Sequence, residues 1–248
     1  MSKYTRKQKS KGSDEFVGFW EKVYTTAAPY ARKILIVITT TLVIVFAAWG
    51  IINYREHRAE SAAEAFGRAV KIYDADLISD LNPAPAKSDE ENPIPRFKTE
   101  KERADAALAE LDALEKKWGS TDAAKNALIF RAGIQYDQGR WDESAKLYQK
   151  AAERADKDPS VAAVAHEGVG LCAEAQNKLD DALAAYKAME PKSGDFYRDR
   201  ALYDQARVYL KKGDKKKAGD LYKEVLAKMP TSQLRDEIQN QLAQLEGT

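Results

Sequence analysis

Nineteen consecutive residues, Ile34 to Ile52 (ILIVITTTLVIVFAAWGII), carry no charged side chain. Crossing a hydrocarbon core about 30 Å thick takes roughly 20 residues of helix. The run is apolar on every face, which argues against the core helix of a soluble domain. A cleaved signal peptide is the main rival. Its apolar core usually spans about 7–15 residues and ends in small residues, whereas this run is longer and ends at Asn53-Tyr54-Arg55-Glu56. Thr39, Thr40 and Thr41 lie inside the run. They are tolerable in lipid because a threonine hydroxyl can bond to a carbonyl of its own helix. Tyr30 at one end, with Trp49 and Tyr54 at the other, fits an aromatic belt.

Charge sets the orientation. Eight basic and three acidic residues give positions 1–33 a net charge of +5 and leave −4 to the rest of a chain that totals +1. Basic flanks stay on the cytoplasmic side. We therefore expect residues 1–33 to be a cytoplasmic tail, 34–53 a transmembrane helix and 54–248 a domain on the far side, with a proline-rich insertion at 82–97. In a Gram-negative bacterium this means a single pass of the inner membrane with the large domain in the periplasm. Before the span, Phe16, Phe19, Trp20, Val23 and Tyr24 recur at helical spacing. They read either as a helix lying on the membrane surface or as a basic tail with residual helix.

The far-side portion is rich in Ala, Leu, Lys, Glu and Asp, and so reads as nearly all helix. Cys172 is the single cysteine, which excludes an intramolecular disulfide and reads as a small buried thiol. His57 and His166 are far apart, so no zinc cluster of usual spacing can form. The chain contains no phosphate-binding loop, dinucleotide fingerprint or nucleophile elbow. We expect no catalytic, cofactor-binding or metal-binding residues and no enzyme activity. Nucleic acid is not an expected partner, because the domain is slightly acidic.

Three segments repeat: Gly133–Ala151, Gly170–Met189 and Ala206–Val225. Tyr148, Tyr186 and Tyr222 stand 38 and 36 residues apart, as do Gly139, Asn177 and Gly213. Each unit reads as helix, left-handed turn residue, helix. Ser144, Ala182 and Ala218 are small residues that let the two helices approach. Ahead of these units, helices are expected over Arg58–Leu81 and Glu100–Trp118, and a closing helix over Ser232–Leu245.

These segments resemble tetratricopeptide repeats, which implies an all-α fold: one transmembrane helix followed by a tetratricopeptide-like α-solenoid. The tail–span–repeat layout, and Phe97–Ala151 above all, is similar to the ancillary Sec-translocon subunit family (YfgM type). Membership implies a membrane-anchored periplasmic scaffold beside the export channel, working with periplasmic chaperones or exported clients. The alternative is a structural subunit of another cell-envelope complex, docked through its repeats.

The repeat alignment places Ile129, Tyr136, Leu171, Tyr203 and Arg207 on a concave, protein- or peptide-binding groove. A clamp for a C-terminal carboxylate would need Lys and Asn where Ile129 and Gly133 stand, which argues against that mode.

Overall fold

The computed structural model describes residues 11–78, 94–155, 158–190 and 197–247, and divides between His57 and Arg58 into two units. In the first, α1 (Lys11–Ala27) meets α2 (Ala31–Tyr73) through a 3₁₀ turn at Ala28–Tyr30. Every residue from Ile34 to Ile52 is exposed. The Thr39 hydroxyl donates to the Leu35 carbonyl at 2.9 Å, and Thr41 to Val37 at 2.8 Å. The run is therefore long and apolar enough to cross a membrane, and these hydroxyls need no solvent.

In the second unit, α2 changes character. Ala62, Ala69 and Ile72 are buried at helical spacing. The helix ends at Tyr73, short of the expected Leu81, where its apolar face gives way to Asp74 and Asp76. The chain turns extended, Leu77 forms a parallel bridge with Phe97, and the Ile78 N–H donates to the Phe97 carbonyl at 2.8 Å. Over 82–93 the expected proline-rich insertion lies outside the described residues; Ile94 and Phe97 at its far end pack on the core.

Next come α3 (Glu100–Trp118), α4 (Asp122–Asp137), α5 (Trp141–Arg154), α6 (Pro159–Ala175), α7 (Leu179–Met189), α8 (Arg198–Lys211), α9 (Lys215–Lys228) and α10 (Arg235–Glu246). Side-chain caps start several of them. Thr99 accepts from the Glu102 N–H, Thr121 from Ala124, Asp158 from Ser160 and Val161, and Asp214 from Lys217. Each cap stabilises its helix by about 0.5–2 kcal/mol.

Three turns are geometric copies. Gly139, Asn177 and Gly213 have φ of 72°, 57° and 81°. In each, the following N–H reaches five residues back: Arg140 to Gln135, Lys178 to Ala173, and Asp214 to Tyr209, at 2.9, 2.8 and 2.9 Å. This bond closes the left-handed C-terminal cap and folds one helix back on the last. Ser144, Ala182 and Ala218 are fully buried between the paired helices. Two glycines of α6 take the tyrosine rings. A Cβ on Gly168 would lie 2.5 Å from the Tyr148 ring, and one on Gly170 2.4 Å from the Tyr186 ring. At the end, Ile238 of α10 is buried, and Leu242 and Leu245 pack on the same cluster.

Candidate protein-binding face

α6 and α8 are the first helices of successive repeats, and their facing charges interlock. Glu167 and Glu174 lie two helical turns apart on α6; Arg200 and Arg207 have the same spacing on α8. Arg200 Nε donates to Glu167 Oε1 at 2.9 Å, and Arg207 Nη2 to Glu174 Oε2 at 2.7 Å. Lys211 Nζ lies 2.7 Å from Glu174 Oε1.

Between the arginines sits Asp204, whose side chain is fully buried. Its oxygens lie 3.4 Å from Arg200 Nε and 3.2 Å from Arg207 Nη2, without hydrogen-bond alignment. Electrostatic attraction, not hydrogen bonding, carries these contacts. Burial pushes the Asp204 carboxyl up to about 6; Arg207 and Arg200 pull the other way, and Glu167 and Glu174 add to the rise. Burial also opposes the charge of Glu174, but Lys211, Arg207 and the Tyr186 hydroxyl outweigh it and hold that carboxyl below its ordinary value.

Tyr186 of α7, Tyr203 of α8 and Tyr222 of α9 cap this lattice. Tyr186 OH donates to Glu174 Oε2 at 3.0 Å and accepts from Arg207 at 3.1 Å. Burial, with Asp204 and Glu174 nearby, raises its pKa strongly, so the phenol stays neutral. The Tyr203 ring meets Tyr222 at 5.7 Å, and its hydroxyl donates to Glu237 Oε1 at 3.3 Å.

Of the five residues picked from sequence, Tyr203 and Arg207 come together at this lattice. Ile129 packs with Leu128, Ala151 and Ala165 in a separate cluster. Tyr136 is half-buried on the last turn of α4, and Leu171 half-buried on α6. Arg207 is committed to Glu174, Asp204 and Tyr186, so reversing its charge would disturb the fold as well as any partner. Sequence reasoning missed Glu167, Glu174, Arg200, Asp204 and Lys211, although the matched seven-residue spacings were a usable signal.

A second hub joins α3, α4 and α5. Glu115 meets Lys150 at 2.5 Å, Arg154 at 3.3 Å and Arg131 at 3.5 Å. Burial opposes its charge, but the three cations hold its carboxyl below the ordinary range. Cys172 is buried, and its thiol donates to Ser144 Oγ at 3.2 Å. Burial raises its pKa, which makes it a packed thiol, not a nucleophile. Among the described residues, no three His, Cys, Asp or Glu side chains gather to hold a metal ion.

The arrangement leaves the Arg200 and Lys211 cations partly exposed at its rim, while Glu167, Glu174 and Asp204 lie largely buried beneath them. The chain belongs to the tetratricopeptide repeat-like domain family, whose match covers residues 27–247. Proteins of this repeat class bind other proteins. Among solved structures, it is similar to a tetratricopeptide repeat protein from Parabacteroides merdae ATCC 43184, with 18% identity, a TM-score of 0.47, and coverage of 59% of this chain and 55% of that one. It is also similar to a Podosopora anserina structure of nearly identical TPR-like repeats, with 14% identity, a TM-score of 0.48, and coverage of 58% and 78%. The chain thus spans about half the length of the Parabacteroides protein. No curated protein matches it.

Proposed function

We propose that the protein is a scaffold held by one helix in a bacterial inner membrane, with its repeats in the periplasm. There it binds proteins at the Sec export channel, together with periplasmic chaperones or exported clients. One observation carries the anchored scaffold: α2 runs unbroken from Ala31 to Tyr73, so the apolar run passes into the repeat domain without a break. A cleaved leader ends its apolar core in small residues; this run ends instead at Asn53-Tyr54-Arg55-Glu56, within the same helix. The family match adds support, since it begins at residue 27 and takes in the apolar run along with the repeats. The +5 tail supports the orientation. The resemblance of Phe97–Ala151 to the ancillary Sec-translocon subunits supports the location.

Tyr203 and Arg207 are the central contacts of this proposal, with Ile129, Tyr136 and Leu171 on the flanking helices. Tyrosine and arginine contribute most at interfaces. Protease added to spheroplasts is expected to degrade Asn53–Thr248 and spare the tail; protection of the large domain overturns the topology. Mild-detergent extraction is expected to recover export-channel subunits and chaperones in variable amounts. A fixed stoichiometric set without them would instead define a structural subunit of another envelope complex.

A further inference from the structure

α1 carries an apolar face that is exposed among the described residues of the first unit. Phe16, Phe19, Trp20 and Tyr24 are 54–74% exposed, and Val23 is 39% exposed. At 100° per residue these five, with Val17 and Ala27, fill an arc of roughly 160°. Glu21, Lys22, Thr25 and Thr26 occupy the rest. Thr25 and Thr26 turn their hydroxyls back onto Glu21 and Lys22 carbonyls at 2.8–3.1 Å, so they make no demand on a partner. The aromatics are already assembled: Trp20 meets Phe16 at 6.2 Å and Phe19 at 5.6 Å, both edge-on.

Two features say what covers this face. First, it is continuous with the apolar helix. A strip runs from Phe19 through Val23, Ala27 and Tyr30 to Ile34, the first residue of the run. Second, the surrounding charge is basic. Lys22 lies on the polar face, Arg32 and Lys33 stand where the run begins, and the tail as a whole is +5. Lysine can lay its stem on an apolar surface and keep its ammonium among headgroups. The junction can bend: Pro29, in the 3₁₀ turn Ala28–Tyr30, has no N–H to continue the α-helical ladder.

We propose that α1 lies in the headgroup region of the anionic leaflet on the tail side, aromatic face down, as a second membrane contact beside the span. This rests on the anchored topology above. Its partner is a lipid surface bearing negative headgroups, because apolar burial and basic charge act together there.

The test uses the full chain with Cys172→Ala, reconstituted into phosphatidylethanolamine–phosphatidylglycerol vesicles. Single cysteines are placed at each position from 16 to 26 and nitroxide-labelled. Accessibility to oxygen and to a water-soluble nickel chelate is then measured. The labels of Phe19→Cys and Val23→Cys are expected about 5–10 Å below the headgroup surface. Those of Glu21→Cys and Thr25→Cys are expected in water, so depth oscillates with the helical period. A Val43→Cys label monitors the span independently. If it is not at bilayer depth, the anchored topology has failed and the proposal falls with it. If it is deep but Phe19→Cys and Val23→Cys are as wet as Glu21→Cys, the surface-helix proposal alone is overturned. Shielding of the apolar face from both reagents would place it against protein, a second copy or a partner, and also overturns it. In vesicles of phosphatidylcholine alone the labels are expected to shift toward water; unchanged depth would remove the anionic lipid from the proposal.

Discussion

Around Phe130 the repeat domain is held by rings; around Asp204 it is held by charges. Phe130 meets Phe66 at 5.9 Å and Tyr73 at 5.5 Å, both near-perpendicular, with α3 leucines beneath. Asp204 instead lies between Arg200 and Arg207, with tyrosines of the paired helices closing the network. Edge-on rings satisfy one another within the core. A lattice whose rim includes Lys211, Arg200 and Tyr203 is stable and still addressable from outside. The difference separates a ring-packed part of the domain from a charge-linked part. It also predicts that only the second responds to pH near neutrality.

The largest effect is expected at the joint between apolar core and charge lattice. Tyr186→Ala removes a fully buried ring and should cost about 3–5 kcal/mol in denaturant unfolding of the detergent-solubilised chain. Tyr186→Phe, which keeps the ring, should cost only about 1 kcal/mol. Equal losses from both would mean the hydroxyl network, not packing, holds this end.

Asp204→Asn sharpens the contrast next. Burial holds the folded-state carboxyl at about 6, above its ordinary 3.8. Its protonation therefore favours the folded state: the contribution is full below about pH 4 and is lost as pH rises through 6. Glu115 and Glu174, held low, contribute in the opposite sense, and their contribution is lost only at more acid pH. Between pH 7 and pH 4 the parent should gain about 2–3 kcal/mol relative to Asp204→Asn. At pH 7 the variant should melt at or above the parent. Parallel pH profiles would show that Asp204 is not strained by burial.

Much of this was legible in the sequence for a physical reason. Gly139, Asn177 and Gly213 mark turns because few residues accept positive φ. Ser144, Ala182 and Ala218 mark helix crossings because only small side chains fit there. The uniform apolarity of 34–52 needs no tertiary context to be read. The Glu167–Arg200 and Glu174–Arg207 pairs were not read, since partners on different helices depend on the axial offset between repeats. The early end of α2 was missed because it depends on the Leu77–Phe97 bridge, a contact across the insertion.

Gly170→Ala is a smaller perturbation at the same joint. Its Cβ would press on the Tyr186 ring at 2.4 Å, and overpacking of this kind costs about 1–3 kcal/mol. A neutral or raised melting temperature would show that α6 and α7 can slide apart freely. Smallest is Tyr73→Phe at the ring-packed end. It deletes the 2.8 Å bond to Asp137 but keeps the edge-on contact with Phe130, and should cost about 0.5–1 kcal/mol. A loss as large as that of Tyr186→Ala would erase the distinction between the two ends.

We propose that partners are met at the α6–α8 lattice. A photoreactive phenylalanine analogue replacing Tyr203 in intact cells tests it most directly, with the same analogue replacing exposed Lys223 of α9 as the comparison. Adducts that contain export-channel or periplasmic chaperone polypeptides are expected at position 203 and not at position 223. Identical adducts at both positions, or adducts at 223 alone, would contradict the proposal.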